Sequence, residues 1–248
     1  EFRRVLFRSV TPATQAGVHL VGNAVRKERA GVLMHVIPKA VARDRLFPNA
    51  SWMRDFQELF AIEATERKWS VWSYCLLGTH YHVVLSTPDC SLAEGMQRLH
   101  LRLSQRRNRE ERSGRLMGGP YWAQPVESDA HLASCLRYLP MNPVKAGLCP
   151  QPVAWRFGSY RALLGLEDCP SWLVRERVLR FVSRGPEEFD QWVRSAKRVP
   201  DPPRSKRDLN RFEVECRLLD GQSCREIAHA VGLSLRSVRR FAATWREG

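Results

Sequence analysis

The 248-residue sequence has no cysteines spaced as CxxC, although it carries seven: Cys75, Cys90, Cys135, Cys149, Cys169, Cys216 and Cys224. A scattered, odd-numbered set argues against a disulfide framework and a structural zinc site, and fits a reducing cytoplasm. No apolar run approaches the ~20 residues that cross a bilayer, and no signal-peptide pattern is present; no membrane partner is expected. No internal repeat is found. Acidic residues are in short supply, 26 Asp and Glu against 40 Lys and Arg, a formal net charge of +14. A surface this basic attracts polyanions, of which nucleic acid is the commonest. The length allows one large domain or two modest ones with a real core.

The first nine residues, EFRRVLFRS, read as a translated sequencing adapter and are set aside. From Gly31, GVLMHVIPKAV reads as a strand, and Met53 to Lys68 as an amphipathic helix with Phe56, Leu59, Phe60 and Ile62 on or near one side. A strand around LGTHYHVVL follows. Leu92 to Arg112 reads as a second helix ending near Ser113 and Gly114. MGGPYWAQPVES is loop or irregular strand. ESDAHLASCLRYL is a third helix, capped by Ser128 or Asp129 and broken at Pro143 and Gly147. This alternation predicts an α+β sandwich over about 28–166.

Past Gly165 every readable segment has a helical pattern, so a second, all-helical domain is expected over 170–248, with VPDPPRSKRD as an exposed linker within it. Ser223 to Trp245 reads as a helix-turn-helix: Ile227, Ala228 and Val231 on the first helix, a turn at Gly232, Ser234 as cap, and a second helix with Val238 inward. Arg236, Arg239 and Arg240 point largely outward, as in a helix that enters a major groove. An ordinary helical hairpin with a basic face has the same pattern.

His80 and His82 stand one residue apart in a strand, so their side chains share a face opposite Tyr81. Two such imidazoles can form two corners of a metal site, or sit as polar residues on a wet sheet face. Tyr138 and Asn142, four apart, stack on one face if that turn is helical. The Asn142 amide oxygen can complete a site of mixed imidazole and oxygen ligands that suits Mg²⁺ or Mn²⁺. Tyr138 could attack a phosphodiester beside it, or be a packing residue. Arg98, Arg102, Arg106, Arg107, Arg109, Arg112 and Arg115 are read either as a surface that tracks a nucleic-acid backbone or as a solvated face. Tyr121 and Trp122 stack unpaired bases or fill the core.

The triplet HYH, the segment GRLMGGPYWAQPVESDAHL and the segment RYLPMNPVKAGL together resemble the single-tyrosine HUH (IS200-like) transposases, most closely the REP-associated tyrosine transposases of bacteria, from about Gly31 to Gly165. The resemblance implies a ferredoxin-like antiparallel sheet with packed helices, His80, His82 and Asn142 as ligands of a divalent metal, and Tyr138 as nucleophile. It also implies cleavage of single-stranded or hairpin DNA through a 5′-phosphotyrosine intermediate with a free 3′-hydroxyl. The C-terminal helix-turn-helix, which also occurs in such relatives, adds contact with duplex DNA. There are three departures from the family pattern: Pro140 two residues after the nucleophile, Pro120 in place of a basic residue, and Gly78 with Thr79 in place of a Pro-Asn pair.

The leading expectation is therefore a DNA nicking and joining enzyme, monomer or homodimer, in the bacterial cytoplasm with the nucleoid. The alternative is a binding protein, either a relative that no longer cleaves or a regulator working through the helix-turn-helix. A histidine-triad hydrolase requires a further histidine where Val84 stands.

Overall fold

The computed structural model describes residues 16–21, 24–41, 45–111, 116–118, 120–182, 185–195, 209–219 and 221–247. The adapter-like start, the linker at 199–208, and Arg112 and Arg115 lie outside them. A hairpin of β1 (Ala16–Val21) and β2 (Ala24–Arg29) precedes the main sheet.

The main body runs β3 (Met34–Ile37), α1 (Ala50–Glu66), β4 (Ser70–Leu76), β5 (Tyr81–Ser86), α2 (Leu92–Glu111), β6 (Trp122–Pro125) and α3 (Asp129–Lys145). The strands form one antiparallel sheet in the order β4-β5-β3-β6. β5 is central and buried from Tyr81 to Leu85, as expected of a strand covered on both faces. Tyr81 faces α1 and α2: its ring centroid lies 4.5 Å from that of Phe56, and its hydroxyl 2.9 Å from His100 Nε2. His82 and its cross-strand neighbours face α3. The sheet is thus the middle of three layers.

α1 starts at Asn49, whose side chain accepts hydrogen bonds from the Ser51 and Trp52 amides, the usual role of an N-cap. Its buried stripe is Trp52, Met53, Phe56, Phe60, Glu63 and Ala64. Ile62, expected on the inner side, is exposed, and the position next to it is filled by a buried carboxylate. α2 passes so close to Trp69 at Gly95 that a Cβ there would overlap the indole and come within 2.8 Å of Arg67 Cδ. Gly95→Ala is therefore expected to lower stability by about 1–3 kcal/mol, read as a lower urea midpoint at unchanged m-value; an unchanged midpoint would contradict this packing.

Two sequence expectations are corrected in this layer. The stretch around Pro120 contains a regular edge strand, β6, paired with β3 from Met34↔Pro125 to Ile37↔Trp122. α3, capped by Ser128 as expected, does not break at Pro143; it continues through Pro140 and Pro143 to Lys145 and closes at Ala146, whose amide donates to Asn142 O. A proline removes one amide donor per position. The helix persists because its inner face is buried all the way from Ala130 to Pro143, so tertiary packing outweighs the lost bonds.

Beyond α3 come a short 3₁₀ turn (Pro152–Ala154), α4 (Tyr160–Leu163), α5 (Arg175–Val182) and α6 (Pro186–Ser195). Packing continues across the boundary expected near Pro170. Val71 of β4 bonds Trp172 and Val174 through the backbone, and Leu173, Val178, Phe189 and Val193 join the same core as the sheet. The Arg137 guanidinium of α3 lies 4.0 Å from the Trp192 ring centroid of α6. A separate small core is formed only by α7 (Leu209–Leu219), α8 (Cys224–Val231) and α9 (Leu235–Glu247), around Val214, Ile227 and Val238. Phe212 of α7 docks this unit on α3, edge to face with His131 at 4.9 Å. Among the described residues no helix is long and apolar enough to cross a membrane.

Candidate functional site

His82 enters the site from β5, opposite Cys75 on β4. His80 lies just before β5, in an isolated bridge with Lys39, held in a turn where the Leu77 amide donates to His80 O at 2.9 Å. Gly78 and Thr79 make that turn, and Thr79 Oγ1 sits 2.9 Å from His80 Nδ1. The two imidazole centroids are 5.0 Å apart with planes at 75°. α3 brings Tyr138 against them, its ring centroid 5.4 Å from that of His82, and Asn142 follows one helical turn later. Lys145 Nζ lies 5.0 Å from the Tyr138 ring centroid. The fold thus brings Tyr138 of α3 onto His82 of the sheet, 56 positions away in the sequence, with His80 beside His82. Tyr138 and Asn142 are each 7% exposed and His80 is half-buried, so the cluster opens to solvent on the His80 side.

Behind His82 lies a residue the sequence reading did not single out. His35, on β3 and fully buried, places Nε2 3.2 Å from His82 Nδ1, with the rings stacked at 5.4 Å. Its Nδ1 lies 3.8 Å from Cys135 Sγ of α3. Burial, with a smaller contribution from repulsion by His131, lowers the His35 pKa to about 3. His35 therefore stays neutral, and its Nε2 can accept a hydrogen bond from His82 Nδ1; in that tautomer the ring lone pair of His82 is on Nε2.

The sign of the pH effect follows. The unfolded chain protonates His35 near pH 6.5 and the folded chain only near 3, so the unfolded state binds more protons as pH falls below 6.5. Full stability is present above about 6.5 and is lost on the way down towards 3, roughly 2 kcal/mol by pH 5. His35→Asn is expected to show a smaller drop in urea midpoint between pH 7.5 and 5 (roughly the window of this group) than the parent; an equal drop would contradict the assignment.

Of the five arginines of α2, Arg109 is exposed, and Arg98, Arg102, Arg106 and Arg107 have partners away from the histidine pair. Arg98 Nε and Arg102 Nη1 each lie 3.1 Å from Glu63 Oε1, at ion-pair distance though not in hydrogen-bond geometry. Arg98 also reaches Glu66, and Arg106 reaches Asp55 at 2.7 Å. Arg107 is buried and donates to Arg45 O at 2.8 Å. These side chains tie α2 to α1 and its approach, on the face of the sheet away from the histidine pair. Tyr121 is buried in the core, and Trp122 is half-buried, edge to face with His35 at 6.2 Å. On α9, Arg236, Arg239 and Arg240 are exposed and Val238 is fully buried. α8 has a reciprocal Ser223–Glu226 capping box and ends at Gly232 with φ 66°; Ser234 Oγ accepts from the Ser237 amide at 3.2 Å.

No family model matches the sequence, and no curated protein does. A solved structure of a REP-associated tyrosine transposase bound to a REP hairpin is similar in fold, with a TM-score of 0.51 and 14% identity. The match covers 58% of this chain and 86% of that one. It supports a mixed α/β fold built on the antiparallel sheet.

Proposed function

We propose that the chain nicks and rejoins single-stranded or hairpin DNA, with Tyr138 as nucleophile and His80, His82 and Asn142 as ligands of Mg²⁺ or Mn²⁺. The observation that carries this reading is the meeting of Tyr138 with the histidine pair across facing elements: the two imidazole centroids are 5.0 Å apart, and the Tyr138 ring lies 5.4 Å from that of His82. The β-α-β-β-α-β order of the sheet is read as ferredoxin-like, and α8 with α9 as a helix-turn-helix that offers Arg236, Arg239 and Arg240 to duplex phosphates.

The residues present fit a divalent ion. Two imidazoles lie side by side with Tyr138 of α3 against them, Asn142 stands one turn further along the same helix, and its Nδ2 atom is buried with no hydrogen-bond partner, so the carboxamide is not held by a structural bond through that atom. What Mg²⁺ or Mn²⁺ supplies there is positive charge against phosphate oxygens. The chain does the rest. His35 sets the His82 tautomer. Lys145 puts an ammonium beside the ring on which phenolate charge develops, which matters for a phenol with an ordinary pKa of ~10. The Tyr138 oxygen gives up its proton and bonds to phosphorus as the bond to the 3′ oxygen breaks; that oxygen takes a proton and leaves as a hydroxyl. The phosphotyrosine keeps the energy of the broken diester, so rejoining is the reverse step.

A second reading, DNA binding without cleavage, is favoured by one observation: at 7% exposure Tyr138 reaches a phosphodiester only if the end of α3 or its cover moves. The test incubates the full chain with labelled hairpin DNA from its own genomic flanks and Mn²⁺ or Mg²⁺, and reads a denaturing gel. A metal-dependent covalent adduct is expected; tight binding without adduct under both metals would replace the first reading with the second.

A further inference from the structure

We propose that His35, His131 and Cys135 form a second metal site, one for a thiolate-seeking ion of the zinc class, and that filling it opposes metal binding at the His80/His82 pair. The three are fully buried between β3 and α3, at 0, 1 and 1% exposure, and their ligand atoms lie within 4.8 Å of one another. His131 and Cys135 are four apart on α3 and so share its inner face; His35 meets them from the sheet. A tetrahedral ion bound at ordinary zinc distances needs ligand atoms roughly 3.3–3.6 Å apart. The His35 Nδ1 to Cys135 Sγ separation of 3.8 Å is already close to that. Two imidazoles and one thiolate are a borderline-soft set, which selects zinc-class ions over Mg²⁺ and leaves a fourth position for solvent. Gln124 Nε2 lies 2.9 Å from His131 Nε2 and Gln124 Oε1 is buried with no hydrogen-bond partner; with the carboxamide turned over, Oε1 accepts from His131 Nε2–H and leaves Nδ1 to ligate.

The antagonism follows from a single proton, and this part rests on the metal-binding reading of the histidine pair. His35 Nε2 and His82 Nδ1 face each other at 3.2 Å, and only one of them can carry a hydrogen in that contact. When His82 ligates through Nε2, its hydrogen is on Nδ1 and His35 Nε2 accepts; the hydrogen of His35 is then on Nδ1, facing Cys135. When His35 Nδ1 ligates in the buried site, its hydrogen moves to Nε2 and His82 Nδ1 must accept. The hydrogen of His82 then sits on Nε2, where it blocks ligation. Filling the buried site releases one proton, from the Cys135 thiol to solvent; the two imidazoles only exchange tautomers.

Titration of the full chain with Co²⁺, followed by absorbance, tests the site itself. A sulfur-to-cobalt charge-transfer band in the near ultraviolet is expected, because the histidine pair with Asn142 contains no sulfur. Cys135→Ser should abolish the band, His131→Gln should weaken cobalt binding at least about tenfold, and His82→Asn should leave the band in place. Circular dichroism identifies any variant that fails to fold, and the wild-type titration decides alone in that case. Absence of the band in the wild type, or its survival in folded Cys135→Ser, overturns the proposal. The tautomer shift is read by nitrogen-15 NMR of the histidine rings: with stoichiometric Zn²⁺, His82 should pass from the Nδ1–H to the Nε2–H form. If His82 keeps Nδ1–H while the cobalt band is present, the site stands and the antagonism fails. None of these readouts depends on DNA cleavage, so their failure is distinct from failure of the adduct test.

Discussion

Tyr138→Phe is expected to reduce covalent capture of DNA by at least about 10³-fold while leaving DNA binding and the fold in place. The substitution removes one oxygen and keeps the ring that packs edge to face on His82 at 5.4 Å and lies below Lys145 Nζ. Losing a hydroxyl from such a site costs on the order of 1 kcal/mol in stability, too little to unfold an ordinary domain. The chemistry has no substitute for that oxygen, since phosphorus must be attacked by an atom that remains on the protein. The other described tyrosines are engaged elsewhere: Tyr74 accepts from Gln57, Tyr81 meets His100, Tyr121 is buried in the core and Tyr160 donates to Asp190. Binding and capture assays on one protein preparation separate the two effects. An adduct of undiminished yield from the phenylalanine variant would move the nucleophile elsewhere.

Glu63→Ala is expected to destabilise the chain by about 3 kcal/mol, with a lower urea midpoint as the readout. The carboxylate is fully buried on α1, yet it faces Arg67 at 3.2 Å and Arg98 and Arg102 at 3.1 Å. Removing it leaves three cations around one apolar cavity. The cost falls at the low end of the range for a broken buried pair, because the side chains of Arg98 and Arg102 are 42 and 32% exposed and can turn to water. Glu63→Gln keeps the volume and loses only the charge, so a smaller loss is expected from it. If Glu63→Ala were neutral, the α2 arginines would not be held by α1.

Those arginines mark where sequence reading stops being sufficient. A basic run on one helix looks the same whether it faces solvent, nucleic acid or a carboxylate stripe on a neighbouring helix. A signal was present: Arg98, Arg102 and Arg106 recur every four residues, and Asp55, Glu58, Glu63 and Glu66 form a matching acidic stripe on α1. Pairing the two requires knowing that the helices are neighbours. The four-residue spacing of Tyr138 and Asn142 on α3 was legible because it is a local pattern; the strand expected at His80 and His82 holds only from Tyr81, since His80 lies in the turn before β5, in an isolated bridge with Lys39. α3 was misjudged at Pro143 for the converse reason, since local proline chemistry disfavours a helix that the apolar face from Ala130 to Pro143 holds in place. The buried His35, His131 and Cys135 group was invisible to cysteine arithmetic, which finds ligands adjacent in sequence; here one ligand comes from β3 and two from α3, about a hundred positions on.

The most direct measurement is the identity of the residue that carries DNA. The adduct formed with hairpin DNA and Mn²⁺ is digested with nuclease and protease, and the modified peptide is sequenced by mass spectrometry. The account predicts a phosphotyrosine linkage to the 5′ phosphate of the cut strand, with a 3′-hydroxyl on the other end, on Tyr138 in the peptide that also contains Asn142. A linkage on any other residue, or one to the 3′ side, would contradict it.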